Sequence, residues 1–319
     1  MQSTLPRVTQ ATHELPEATV GKTGWPWAAA STDIPSRTPG GNSWPRISVV
    51  TPSYNQAEFL EATIRSVLLQ GYPELEYIIV DGGSTDGSLE IIERYRAWIS
   101  RVVVGEDDGQ YDAINKGFRT ANGDILTWLN SDDMFAPNSF WAVGGIFADL
   151  KPHVEWITGV PSMWDRFGNG ATVLPRPRLN RQLLSVGAYD GVTLNFIQQE
   201  GTFWSRDLWQ RAGGCLDTSL SLAADYELWC RFADYAPLHG VSAVLAGNRR
   251  HPDQKTQRAM LAYMHDMQRC RLRRKWSRVE RNWLARGLKR RLARLIYRWG
   301  RTDPMVVYAP GELRWEIIR

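Results

Sequence analysis

A chain of 319 residues, 43% hydrophobic and 23% charged, has the composition of a globular protein and excludes the disordered and fibrous classes. Its formal net charge of +4 conceals an asymmetry: residues 269–301 hold 14 Lys or Arg against the single acid Glu280, so the remaining 286 sum to about −9. No run of about 18 apolar residues occurs, and Met1 to Val20 lacks a basic stretch before an apolar core, so neither a transmembrane helix nor a secretory leader is expected.

Residues 1–45 are rich in Pro, Thr, Ser and Gly without apolar periodicity, which predicts an irregular tail or a surface wrap. Trp25, Trp27 and Trp44 within it need somewhere to pack. From Arg46 the pattern changes. Ile47 to Thr51 is a β-branched run ended by Pro52 and predicts a first strand; Glu58 to Gln70 carries Leu60, Ile64, Val67 and Leu68 at helical spacing. Tyr77 to Asp81 predicts a second strand, Ser88 to Trp98 a helix, and Arg101 to Val104 a third strand. Asp112 to Thr120 predicts a helix and Ile125 to Leu129 a fourth strand, which ends on Asn130-Ser131-Asp132-Asp133.

This alternation predicts an α/β, Rossmann-like fold whose mixed, mostly parallel sheet has helices on both faces. Strands that read as continuous apolar runs support burial on both sides. Past Pro137 a helix is predicted to Leu150, then strands at Glu155 to Trp164 and Ala171 to Leu174 joined by a turn over 167–170, and a helix from Ala223 to Ala233. From about Thr256 the chain reads as helical and basic. The predicted organisation is a tail (1–45), a catalytic domain (46–255) and a basic helical C-terminal extension (256–319).

Ligands of open parallel sheets bind beyond the carboxyl ends of the strands. Four polar clusters fall there: Thr51 to Asn55, Asp81 to Gly87, Glu106 to Lys116, and Asn130 to Asp133. One DG-rich turn alone reads most simply as a turn, whereas four at successive strand ends predict a binding rim. Adjacent acids Asp132 and Asp133 suit a divalent metal that neutralises a diphosphate, Asp81 a base or ribose, and Lys116 phosphate charge. Neither a GxxxxGK[ST] loop nor a GxGxxG fingerprint is present, which argues against an NTPase or a dehydrogenase.

The segments TPSYNQAEFLEATIRSVLLQGYPELEYIIVDGGSTDGSLEII, EDDGQYDAINKG and GDILTWLNSDD resemble the family 2 glycosyltransferases of the GT-A fold, over roughly 46–255. The resemblance implies inverting transfer from a nucleotide diphosphate sugar (UDP-, GDP- or dTDP-linked) with Mg²⁺ or Mn²⁺. The implied acceptor is a glycan or glycolipid of cell-surface assembly. By this resemblance Thr51, Pro52, Tyr54 and Asn55 form the nucleotide-binding segment and Asp81 contacts the base. Ser84, Asp112, Lys116 and Asn130 join the donor side. Asn130 stands where an Asp is frequent, so either Asp132 or Asp133 is the main metal ligand.

The stretch GTFWSRDLWQRAGGCLDTSLSLAADYELWCRF is similar to the acceptor half of these enzymes. Asp225, Leu228 and Arg231 match the family's ED-x-x-L-x-x-R, with Ala224 in place of the first acid. Asp225 is the candidate base for the acceptor hydroxyl and Glu227 a second candidate; an acid in a helix's first turn is also explained by the dipole. Gln199, Glu200 and Trp204 are expected at the acceptor pocket, core packing being the other reading of Trp204. His251, in RRHPDQKT, reads either as a metal ligand or as an ordinary surface residue. Without a QxxRW signature, one sugar per acceptor is expected rather than a polymer.

Two other functions stay open. A sugar nucleotidyltransferase needs a basic Gly-rich loop after the first strand, where Ser53 to Gln56 offers no Arg or Lys. A non-catalytic nucleotide-sugar or glycan-binding module would be free to lose Asp132, Asp133 and Asp225. In the basic segment Leu272, Trp276, Val279, Trp283, Leu288, Leu292, Leu295 and Trp299 recur at mostly helical spacing. They read either as an anionic-membrane surface carried by 269–301 or as a stripe packed on the catalytic domain. No nucleic-acid motif is present, so no such partner is expected. Cys215, Cys230 and Cys270 form neither a disulfide framework nor a CxxC knuckle, so the expected location is cytoplasmic, including the inner face of the cell membrane.

Overall fold

The four β-branched runs become parallel neighbours. In the computed structural model, which describes residues 15–18, 21–28, 35–252, 254, 259–272 and 283–318, the first half alternates as predicted. β1 (Ile47–Ser53), α1 (Ala57–Leu68), β2 (Leu75–Asp81), α2 (Ser88–Arg94), β3 (Arg101–Val104), α3 (Gln110–Thr120) and β4 (Ile125–Trp128) follow in order. The second predicted helix stops at Arg94, and its last residues form a 3₁₀ turn at Arg96–Trp98. β1 pairs in parallel with β2, Val49 opposite Tyr77, and on its other side with β4.

The chain continues through β5 (Met134–Phe135), α4 (Ser139–Asp149), β6 (Trp156–Thr158), β7 (Ser162–Trp164), β8 (Gly170–Val173) and α5 (Arg181–Ser185). Next come β9 (Thr202–Ser205), α6 (Arg206–Arg211), α7 (Ala224–Tyr235), β10 (His239–Val241) and β11 (Ala246–Arg249). It ends with α8 (Met260–Leu272), α9 (Trp283–Trp299), β12 (Met305–Ala309) and β13 (Arg314–Ile318). Among the described residues nine strands form one sheet in the order β13-β12-β10-β6-β9-β4-β1-β2-β3, with only β9 and β13 reversed. A smaller sheet, β5-β11-β7-β8, sits beside it.

Alternate strand residues feed two cores, which is why the strands read as continuous apolar runs. Ile47, Val49, Tyr77 and Ile79 pack under α1 and α4, while Val50, Ile78, Val80 and Trp128 pack under α3 and α7. α3 lies close on β1 because Gly117 has no side chain: a Cβ there would meet Val50 Cγ1 at 2.4 Å.

Two expectations change, and the N-terminal segment takes one of the two forms expected of it. The single strand predicted over Glu155 to Trp164 is two, broken at Gly159-Val160-Pro161, with β6 in the large sheet and β7 in the small one. Among its described residues the 256–319 segment is not helical throughout. β12 pairs in parallel with β10, β13 closes the edge, and Trp315 is buried in the second core. The described part of the N-terminal segment wraps the domain: the buried Arg65 guanidinium donates to the carbonyls of Pro16 (2.8 Å) and Pro26 (3.0 Å), and Trp25 Nε1 to that of Phe135 (2.8 Å). Trp276 and Val279 lie outside the described residues.

Candidate active site

The carboxyl ends of β1 and β4 and the loop before β9 open onto one cavity of about 310 Å³. β9 is reversed, so the residues that precede it, Gln199 and Glu200, arrive at the rim where β4 ends; Gln199 Nε2 donates to Trp128 O at 2.7 Å. Pro52, Tyr54, Asn130, Asp132, Asp133, Gln199, Glu200 and Asp225 all line this space. Carboxylates far apart in the chain therefore converge.

Asp225 sits in the first turn of α7, half-buried, with Oδ1 shielded from solvent and lacking a hydrogen-bond partner among the described residues. Burial pushes its carboxyl up from 3.8 to about 6, against the Tyr226 amide that favours the charged form. Glu200 is pushed up to about 7, first by burial and then by the charges of Asp225 and Asp132. Glu227, the second candidate base, is committed elsewhere: both its oxygens accept from Arg231 Nε, at 2.9 and 2.8 Å.

The adjacent acids divide. Asp133 is buried and both its oxygens are used, Oδ1 by the Arg249 amide (2.8 Å) and Oδ2 by Asn130 Nδ2 (3.1 Å). Burial, then repulsion from Asp132 and Glu200, pushes its carboxyl well above the usual range. Both oxygens thus hold the acidic loop in place, whereas among the described residues the side chain of Asp132 is bonded by no such amide pair. Asp132 faces the cavity, its Oδ2 3.1 Å from His251 Nε2. His251 is no surface residue: it is buried, and its ring lies on Phe59 with centroids 4.5 Å apart.

Two ligands at right angles about 2.1 Å from one ion lie about 3 Å apart, so Asp132 and His251 fit a divalent cation as neighbouring ligands. Among the described residues no set of three His, Cys, Asp or Glu is placed to hold a metal ion.

Several predicted donor residues build the rim instead of lining the cavity. Asp81 Oδ1 accepts from the amides of Gly83 (3.0 Å) and Ser84 (2.7 Å), and Ser84 Oγ donates to Asp81 Oδ2 at 2.7 Å. Ser84 Oγ accepts from the Asn55 amide (2.9 Å), and Asn55 Oδ1 from the Thr85 amide (2.8 Å), with Asn55 in the left-handed region at φ 52°. These bonds lock the loops after β1 and β2 together. Thr51 is fully buried and its hydroxyl accepts from Tyr77 Oη at 3.2 Å. Lys116 pairs with Asp112 at 2.9 Å and donates to Glu106 O at 2.9 Å, on α3 outside the cavity wall.

Trp204 is not an acceptor contact. It is 0% exposed, on β9, within a cluster that includes Trp128 and Trp229 at centroid distances of 5.5 and 5.6 Å. Trp204→Ala is expected to lower stability by about 3–5 kcal/mol in chemical denaturation, the cost of an aromatic cavity.

Other residues of the site were not singled out from sequence. Gln110 Nε2 donates to Asn130 Oδ1 at 2.7 Å. Arg249 clamps the acidic loop, its Nε donating to Asp132 O at 2.7 Å and its guanidinium lying over Phe59. Tyr263 of α8 reaches the cavity from the basic segment. The basic triplet Arg249-Arg250-His251 at the end of β11 was the available signal for the second.

Residues 48–143 match the family model described as Glycosyl transferase family 2. Over 92 residues the chain is 42% identical to the putative teichuronic acid biosynthesis glycosyltransferase TuaG of Bacillus subtilis, covering 28% of this chain and 36% of that one. The structure is similar to S. aureus TarS 1–349 in complex with UDP-GlcNAc (TM-score 0.54, 17% identity, 72% of this chain, 67% of that one). It is also similar to the mannosyltransferase PcManGT from Pyrobaculum calidifontis with GDP-Man and Mn²⁺ (TM-score 0.54, 18% identity, 88% and 87%). The chain spans about a third of the length of the curated relatives it matches first, 35% and 36%. The segment matched by the Glycosyl transferase family 2 model carries β1 to β4, and the chain shares the GT-A fold of these two structures.

Proposed function

We propose that the chain transfers a single sugar, with inversion, from a nucleotide diphosphate sugar to a hydroxyl of a glycan or glycolipid acceptor in cell-surface assembly. The observation that carries this reading is the half-buried Asp225 carboxylate, which lines the same cavity as Asp132 and is pushed up to about 6. A base whose pKa lies just below neutral is ionised at pH 7 yet basic enough to accept a proton from the acceptor as its oxygen attacks. That oxygen bonds to the anomeric carbon from the Asp225 side, the bond to the diphosphate oxygen breaks with its electron pair leaving on phosphate, and the proton ends on Asp225.

Asp132 and His251 would hold Mg²⁺ or Mn²⁺, which when bound offsets the charge of the departing diphosphate. Tyr54, 62% exposed at the rim, offers a ring face to the base, and Pro52 walls the same end. Gln199, with Oε1 unpartnered among the described residues, and Glu200 are placed to orient the acceptor hydroxyl.

The donor is tested by incubating the chain with UDP-, GDP- and dTDP-linked sugars plus Mn²⁺ and reading released nucleoside diphosphate. Turnover with one base class is expected. Binding without turnover on any donor and acceptor would favour a non-catalytic module, and no binding at all would overturn the reading.

A further inference from the structure

The exposed face of α9 is its apolar face. Leu288 is 70% exposed and Trp299 76%, and Leu292 and Leu295 between them are also exposed. Their spacing of four, three and four residues places all of them on one narrow stripe of the helix. This stripe does not hold α9 to the domain. A different face does: Ala293 is buried, Ile296 and Tyr297 pack on the first core, Tyr297 Oη accepts from the Arg178 amide at 3.3 Å, and Arg294 Nη2 donates to Val192 O at 2.9 Å. Among the described residues no element packs on the apolar stripe.

It continues into a second cavity of about 610 Å³ between α5, α8 and α9, whose mouth carries Leu261, Met264 and Leu292. Leu261 is 84% exposed. Soluble monomers seldom present so continuous an apolar surface. Cations flank it on both sides: Arg291, Arg294 and Arg298 are exposed along one edge, Lys289 and Arg290 line the cavity, and Trp283 to Trp299 contains no acid. α8 joins the two cavities, presenting Tyr263 to the active site and Leu261 and Met264 to this one.

We infer that the stripe Leu288-Leu292-Leu295-Trp299, with the mouth of the cavity beside it, is a docking surface for an anionic phospholipid bilayer. Apolar side chains enter the headgroup boundary while the flanking cations meet phosphate, the division of labour of an interfacial helix. A second copy of the chain on the same face would bring these cations against each other, so charge complementarity selects lipid over self-association.

Sedimentation with phosphatidylcholine vesicles, with and without phosphatidylglycerol, tests this without any turnover readout, so its failure is separable from failure of the proposed transfer reaction. The full chain is expected to sediment with the anionic vesicles and at least about ten-fold less with neutral ones. A variant combining Leu288→Glu, Leu295→Glu and Trp299→Glu, all at exposed positions, should lose more than about ten-fold in association while melting like the parent. Arg291→Glu with Arg298→Glu should erase the preference for anionic lipid. The inference is overturned if the parent chain stays in the supernatant with anionic vesicles, if either variant sediments as the parent does, or if the face mediates only concentration-dependent self-association.

Discussion

Asp225→Asn is expected to lower the transfer rate by about 10³-fold while nucleotide-sugar affinity stays within about two-fold, because general-base catalysis typically contributes 10²–10⁴. The same substitution should stabilise the fold. Asp225 is raised in the native state from 3.8 to about 6, so its favourable contribution is complete below about pH 4 and is lost as pH rises through 6. Above that, the folded protein carries a desolvated charge that costs up to about 3 kcal/mol, and the Asn variant is spared it. Melting curves at pH 8 should therefore place the variant a few degrees above the parent, with the gap closing at pH 4. The parent's rate should climb with pH through about 6 as Asp225 loses its proton. A variant that loses activity and stability together would mean that Asp225 is a structural residue.

Asp132 and Asp133 should separate just as sharply. Asp132→Asn is expected to weaken Mn²⁺-dependent donor binding by at least about ten-fold, with the melting temperature nearly unchanged. Asp133→Ala leaves the buried Arg249 amide and Asn130 Nδ2 without their acceptor and should cost about 1–3 kcal/mol of stability. Calorimetric titration with and without metal, run beside denaturation of the same samples, reads both effects. Equal losses in the two variants would contradict the division of roles.

What the chain announces locally was legible from sequence, and what long-range packing decides was not. β1 to β4 were readable because their β-branched runs are buried on both faces, and a polar cluster at each carboxyl end marks the ligand rim. Neighbouring acids look equivalent in a string, yet successive side chains point apart. Only the return of β11, which brings the Arg249 amide onto Asp133 and His251 onto Asp132, distinguishes them. Asp81 was correctly placed at a strand end, but its oxygens are taken by the turn that follows it, a bonding pattern no motif displays. Trp204 was undecidable for a related reason: a tryptophan on a strand before an acceptor-side helix fits a pocket or a core, and the partners that settle it, Trp128 and Trp229, are distant in sequence. The strand break at Gly159 and the terminal hairpin were missed because their pairing partners, β9 and β10, belong to the far half of the sheet.

The edge hairpin has a mechanical corollary. Because β12 is hydrogen-bonded into the central sheet and Asp303 N donates to Leu179 O at 2.8 Å, the carboxyl end of α9 is bolted to the catalytic body and does not dangle from it. A platform mounted in this way has one fixed tilt toward whatever it rests on. On the docking and transfer proposed above, the reach from that surface up to Asp225 is set by the fold and acts as a built-in ruler for how far from its anchor an acceptor hydroxyl must stand.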